Sequence, residues 1–478
     1  MKKIFLFAIA SITCSLYTVT YKTSQTFMFT RPIFHSIFAQ QQVWNDIINK
    51  EICSGDNTAQ ALYMYQKSKP YNKNGAYFLL DCKPCIKVMG DAELISGVPA
   101  YNQRDVRAEW LDLPDNFTGD LSLCPKQEEQ ALFLEYNYNL GDVFGLDFFK
   151  SWWFDFFMPF VSVKNNINPT GKKELINSLN KPEWCGARIT PKDLSKFGVP
   201  EIRINLGTTL LNRDSFLFAT YTGIAIPTVN KYPSTYLFSP LLGVNGHIAF
   251  ISGLTMELPI YSNYRNSDIR ILFNAKNDWY LAHHQTRTFD LWNKPWSRYL
   301  QYRKEGEAET ISGVNLFTRN VEVHPNNMFE IAAALRGKIH GFYLELGYSL
   351  WGHGDERLEY PDKKCDNRLY ELEKYAIAGS TELDGLGNPV YLSASASTIS
   401  TRIDDPQDIF VTIKARDIFL CSANGRGGVV NKGEASLGYA CQTDALLGFV
   451  GVGAYFESPV GNSLLKNRGC WAKACFNF

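Results

Sequence analysis

The chain lacks an excess of either charge: 48 lysines and arginines balance 48 aspartates and glutamates. With no net field, it offers nothing global to attract nucleic acid or an anionic membrane surface. Beyond the first twenty residues it also lacks an uncharged apolar run near the roughly 20 residues that a spanning helix needs. The nearest approach lies between Leu146 and Phe157, and Asp147, Lys150 and Asp155 interrupt it. A mean hydropathy slightly below zero agrees, and excludes a polytopic helical membrane protein. Charged residues at 20% and hydrophobic ones at 45% exclude wholesale disorder. No repeat of 20–50 residues is visible, which excludes a solenoid or propeller.

Motifs for chemistry are missing too. There is no G-x-S-x-G elbow, no H-E-x-x-H helix and no Walker loop. Only seven histidines occur, and the adjacent His283 and His284 would face opposite sides of a strand. His353-Gly354-Asp355-Glu356 could hold a cation, but a solvated loop turn is the plainer reading. Gly448, Gly451 and Gly453 lie in strand-like sequence, where they suit curvature and close packing better than a dinucleotide site. The expectation is a protein with no catalytic residues, no metal and no cofactor.

Aromatics are abundant, at 14% of the chain, which suits strands and membrane interfaces. Met1-Lys2-Lys3 followed by Ile4–Ala10 reads as a secretory leader, with residues 1–20 as its approximate extent. Cleavage after Ser15 is one reading. Lipidation of Cys14 is another, although Ser11-Ile12-Thr13 makes a poor lipobox. Loss of Cys14 would leave ten of the eleven cysteines, an even number in an oxidising compartment. Cys82-Lys83-Pro84-Cys85 reads as a local disulfide or two unpaired thiols.

The rest of the chain alternates with period two, as strands with two unlike faces do. In 342–351, Phe342, Leu344, Leu346, Tyr348 and Leu350 share one face; Tyr343, Glu345, Gly347, Ser349 and Trp351 share the other. Stretches near 131–140, 248–258 and 434–441 behave alike. Further strands are expected near 59–66, 199–206, 214–226, 267–275, 278–291, 297–304, 328–336, 445–456 and 468–478. Arg336-Gly337-Lys338 and Gln442-Thr443-Asp444 read as short hairpin joints. Long joints alternate with them, the largest at about 352–431. A helical signal appears at Lys172–Leu179.

This pattern predicts an all-β fold: an antiparallel transmembrane β-barrel of about 12–16 strands, with short periplasmic turns and long extracellular loops. Residues 21–55 form an N-terminal segment and 56–478 the barrel. A soluble β-sandwich would show the same alternation. The carboxyl end favours the barrel, because Phe476 and Phe478 close an alternating strand. That ending resembles the β-signal by which the barrel-assembly machinery receives its precursors, and the two phenylalanines are the candidate insertion signal.

Arg287–Leu291, Lys294–Arg298, Trp351–Glu356 and Met28–Pro32 carry a second resemblance. Together they look like the large outer-membrane barrel families of Dependentiae (Babeliales), bacteria living inside amoebae. The resemblance implies an outer-membrane protein of undefined cargo.

On the polar phases of the expected strands, Arg203, Glu257, Arg336, Glu345 and Glu434 are candidate lumen residues that could sort ions or small solutes. Trp152, Trp153, Trp351 and Trp471 suit interfacial girdles or core anchors. The leading expectation is a passive porin-like channel. The alternatives are a barrel-displayed surface or adhesin protein contacting a host, and a secreted carbohydrate-active β-sandwich. Outer-membrane lipid and the assembly machinery are the expected partners. Homo-oligomers are an open option, and nucleic acid is not expected.

Overall fold

The computed structural model describes residues 24–36, 57–70, 72–140, 151–213, 216–229, 234–263, 267–360, 371–405, 410–442 and 447–477. The leader, Cys14, residues 37–56 and Phe478 lie outside them.

Twelve strands form one closed antiparallel barrel. In chain order they are β1 (Asn57–Ser68), β2 (Lys126–Asn139), β3 (Trp152–Asn166), β4 (Glu201–Arg213), β5 (Phe216–Pro227) and β6 (Ala249–Asn263). They continue as β7 (Ser267–Tyr280), β8 (Met328–Ile339), β9 (Phe342–His353), β10 (Gly428–Gln442), β11 (Leu447–Val460) and β12 (Asn467–Asn477). Each strand pairs with its neighbours in sequence. The ring shuts where β12 meets β1, with Ala59 opposite Phe476 and Met64 opposite Trp471. A strand needs about 9–11 residues to cross a bilayer, and all twelve reach that length.

Side-chain direction follows the pleat. Outward positions such as Leu134, Leu258, Ile271, Leu335, Leu344, Leu346, Leu437, Val450 and Val452 are exposed and apolar. Inward positions are buried and largely polar. A soluble sandwich does the reverse, so the apolar wall is the lipid-facing surface and the sandwich reading falls. Exposed aromatics flank the aliphatic band. Phe250 and Trp279 stand at one rim, their rings 6.3 Å apart, and Phe342 and Tyr439 at the other, 4.8 Å apart. These positions suit interfacial girdles. Trp351 and Trp471 do not belong to them. Both are buried inside the barrel.

The joints fall into two classes. Residues 140–151, 214–215, 264–266, 340–341 and 443–446 separate strands at one end, and the short joint 461–466 lies at the other. The β8–β9 hairpin turns at His340 and Gly341, both left-handed (φ 48° and 87°), as a two-residue turn requires. This corrects the expected joint at 336–338, because β8 runs on to Ile339 and keeps Arg336 inside the pleat. At the opposite end lie the long connections 69–125, 167–200, 228–248, 281–327 and 354–427. They contain the short helix Lys173–Ser178 and several small sheets.

These five connections pack on one another as a cap. Val88 and Leu121 from the first, Leu175 and Ile189 from the second, and Phe238 from the third share one core. Trp296, Tyr302 and Phe317 from the fourth and Ile377, Ile399 and Ile418 from the fifth complete it. The stretch 297–304, expected as one strand, is a 3-10 turn followed by the cap strand Gln301–Lys304.

At the cap base, Asn245 donates to the Gln285 carbonyl oxygen at 2.6 Å. His247 Nδ1–H donates to the Leu281 carbonyl at 2.8 Å, and its Nε2 lies 2.7 Å from the Gln285 amide nitrogen. Burial pushes the His247 imidazole down to about 4, outweighing the Leu281 hydrogen bond that raises it.

Two outcomes follow from this packing. Leu346→Arg places a charge on the lipid face and should cost about 2–4 kcal/mol near the bilayer midplane; urea titration in liposomes measures it. For His247 the unfolded chain takes up a proton near pH 6.5 while the folded chain resists until about 4. Its contribution to stability is therefore lost as pH falls through that window. Hydrogen-exchange protection in the cap should weaken less steeply as pH falls from 6.5 to 4 in His247→Gln than in the parent, and equal slopes would refute the assignment.

Candidate lumen and its seated N-terminal segment

The inward faces build the candidate site. Arg203, Glu257, Arg336, Glu345 and Glu434 all lie inside the barrel, none more than 7% exposed. The structure divides them into separate groups. On adjacent β8 and β9, Arg336 donates through Nε to Glu345, and its Nη1 lies 3.5 Å from Glu257 on β6. Arg270 on β7 also reaches Glu257, at 3.5 Å. On β10, Glu434 pairs with Lys432 at 2.8 Å and accepts the Trp471 indole N–H at 2.6 Å. Arg203 donates through Nε to Glu201 and reaches Asp278 at 3.5 Å. Lys276 adds a second cation 3.2 Å from Asp278.

Most of these groups lie in opposite-charge sets, although Glu135 on β2 and Asp155 on β3 share a hydrogen bond. Breaking one buried pair leaves an uncompensated charge, at a cost of about 3–5 kcal/mol. Glycines keep the wall thin beneath the inward rings. A Cβ on Gly453 would lie 2.4 Å from the Trp471 ring, and one on Gly451 2.8 Å from the Phe449 ring.

Residues 24–36 occupy the cap-side half of this lumen, and all are buried. Their upper part hangs from the cap by main-chain bonds. Gln25 N–H donates to Tyr77 O at 3.0 Å and Thr26 N–H to Ser422 O at 2.8 Å. Tyr77 returns a bond from its hydroxyl to Phe27 O at 2.9 Å. Their lower part is fixed by charge. Arg31 reaches Glu457 on β11 and Glu330 on β8, the latter at 3.0 Å, and donates to His35 O. Its guanidinium carbon lies 5.6 Å from the centre of the Trp351 ring. His35 Nε2 sits 2.8 Å from an Arg203 nitrogen, and Lys432 donates to Ser36 Oγ at 2.6 Å. Gln127 on β2 donates to Thr30 Oγ1 at 3.2 Å.

The lumen is thus filled at the cap side by the chain itself. A passive porin-like channel therefore needs this segment to move before solute can pass the cap side. The sequence marks residues 21–55 only as an N-terminal segment, with Arg31 inside the Met28–Pro32 stretch, and does not single out His35, Glu330 or Glu457. Glu330 and Glu457 were legible in principle from the polar phases of β8 and β11. Arg31 carried no periodic signal.

The four segments that carried the family resemblance converge here. Arg287 lies over the Phe27 ring, its guanidinium carbon 3.2 Å from the ring centre, and reaches Glu356 at 3.2 Å. Thr26 Oγ1 donates to Thr288 O, and Asp290 holds Arg298 in a buried ion pair. The carboxylates of the His353–Glu356 stretch are already engaged. Gly427 N–H and Arg426 hold Asp355, and Gly425 N–H and Arg287 hold Glu356. Among the described residues no group of three or more His, Cys, Asp or Glu side chains could hold a metal. Cys82 and Cys85 are both unpaired thiols, as are the other cysteines of the described residues.

No protein-family model and no curated protein matches the chain. Among solved structures, it is similar to an outer-membrane channel from Pseudomonas putida F1, at 8% identity and a TM-score of 0.39, over 90% of this chain and 98% of that one. The transport unit of the autotransporter AIDA-I from Escherichia coli is similar at 5% identity and 0.34, over 90% and 92%. The Pseudomonas putida toluene transporter TodX is similar at 9% identity and 0.30, over 96% of both chains. These likenesses are weak, and the barrel stands on its own strand pairings.

Proposed function

We propose that the chain is a channel of the bacterial outer membrane, exported by its leader, that passes ions or small solutes when residues 24–36 leave the lumen. One observation carries the reading. A lumen lined with ionised side chains is held shut by a segment whose own charges complete its pairs. Arg31 stands between Glu457 and Glu330. A permanent filler could be apolar, whereas a polar seat can exchange its partners for water and solute.

The resemblance to Dependentiae barrels belongs to the same proposal and rests on the quoted sequence segments. So does insertion by the barrel-assembly machinery through Phe476 and Phe478. Phe476 faces outward on β12, opposite Ala59 of β1. Under this reading the cap and its long connections face the outside of the cell.

A second reading, a surface protein contacting a host, draws support from the cap. Five connections with a shared core make a larger surface than a pore needs. It requires no conductance.

Planar-bilayer recording distinguishes the two. The parent protein should be mostly closed. Arg31→Ala removes the cation that stands between Glu330 and Glu457, which weakens the seat and favours departure of the segment with hydration of the carboxylates. Open probability should rise at least about tenfold, the effect of roughly 1.4 kcal/mol. Silence from both proteins, each giving the heat-dependent gel shift of a folded barrel, would remove the channel reading and leave the surface one. Phe476→Ala should lower the yield of heat-modifiable barrel in outer membranes while sparing refolding in detergent; unchanged yield would exclude it as an insertion signal.

A further inference from the structure

The cap contains a cavity of about 360 Å³, apart from the lumen, where the first, fourth and fifth connections meet. Its walls are built before any ligand arrives. Arg107 N–H donates to Ile399 O at 2.8 Å, locking the first connection to the fifth. Arg104, itself buried, crosses the same seam. It donates to Ser400 O at 2.7 Å and Met89 O at 3.0 Å, and pairs with Asp91 at 2.8 Å.

The wall chemistry narrows the ligand. The cations are already neutralised: Arg104 by Asp91, and Lys83 by Asp105, which also accepts the Lys87 N–H at 2.8 Å. An anion would find no uncompensated positive charge. What remains is a set of hydroxyls on a tight turn. Thr398 Oγ1 lies 2.9 Å from Thr401 Oγ1 and 3.1 Å from Ser400 Oγ, and Thr398 and Thr401 close the turn through reciprocal main-chain bonds.

Across the cavity stand the exposed carboxylate of Asp81 and the ring of Tyr101, which is 66% exposed. Asp81 and Cys82 are consecutive non-glycine residues in the left-handed region (φ 50° and 53°). Such strain persists where the surrounding structure holds it, commonly at binding rims. Leu80, Pro295 and Ile399 supply the apolar part of the lining.

We propose that this cavity binds a neutral saccharide of one or two rings. Sugars have an apolar ring face and a hydroxyl edge. Tyr101 supplies a large exposed face for the first. Thr398, Ser400, Thr401 and Asp81 supply donors and acceptors for the second. The volume lies at the small end of ligand pockets, which suits one or two rings and not a long chain. The cavity does not involve the lumen, so this inference stands or falls separately from conduction.

The test uses the full chain in lauryldimethylamine oxide, a detergent with no sugar headgroup. Lactose, maltose and N,N′-diacetylchitobiose are titrated by calorimetry, with inorganic phosphate as the anionic control. At least one disaccharide should bind saturably, phosphate should not compete, and Tyr101→Ala and Thr401→Val should each weaken binding about tenfold or more. A heat-dependent gel shift equal to that of the parent confirms that each variant is folded. Absence of saturable binding up to about 50 mM of all three sugars, equal binding by both folded variants, or displacement by phosphate would each overturn the proposal.

Discussion

Closure of the sheet is the constraint from which the rest of the molecule follows. In hydrocarbon an unpaired backbone N–H or C=O has no water to turn to, so a sheet can cross only without edges. Here β12 supplies the last partner for β1, with Thr58 opposite Asn477 and Ser68 opposite Asn467. Once the ring is shut, the pleat gives each strand one face toward lipid and one toward the lumen. A one-residue slip would exchange the faces, placing Arg336 in lipid and Leu335 in the lumen. Register and polarity are therefore set by the same alternation.

A ring of twelve strands encloses more space than inward side chains need for packing. The sequence fills the wall with ionised groups in opposite-charge sets, and these bring a second requirement. Glu330 and Glu457 face the cap-side lumen, and a cation from outside the strands, Arg31 of the N-terminal segment, pairs with both. The ring contact of Arg31 with Trp351 contributes on the order of 1 kcal/mol. Removing the cation from between two buried carboxylates would cost several times that. Electrostatics thus dominates the seat, while Phe27 and Phe29 pack it apolarly beneath the cap.

Local periodicity made the barrel legible. β9 has the register read from Phe342, Leu344 and Leu346 against Tyr343 and Glu345, and the helix at Lys172–Leu179 reappears as Lys173–Ser178. β3 was not recognised, because Trp152, Trp153, Phe154, Phe156 and Phe157 put aromatics on both faces and erase the contrast. The joint at 336–338 was misplaced since Gly337 resembles a turn, whereas the left-handed pair is His340 and Gly341. Trp351 lies near a strand end and Trp471 in mid-strand, and the phase of both directs them inward. The seated segment was invisible for another reason. Residues 24–36 have no period, and their partners lie up to 426 positions away, as in Arg31 with Glu457. Local patterns do not carry pairings of that separation.

The cap cavity and the seated segment are separate, but they are linked through one stretch of chain. Leu80 lines the cavity, and three residues before it Tyr77 accepts the Gln25 N–H and donates to Phe27 O. Pro295 lines the cavity too, and the next residue, Trp296, donates its indole N–H to Phe78 O at 3.0 Å. Leu80 therefore belongs to the cavity wall three residues along the chain from Tyr77, a support of the segment. Proximity alone does not couple them. A ligand shifts the segment only by the difference in its affinity for the seated and unseated states. That difference must arise in 77–80 or 295–296, the stretches common to both. Rigid anchoring of the other wall by Arg104 and Arg107 leaves these stretches as the place where ligand contact and segment release would meet.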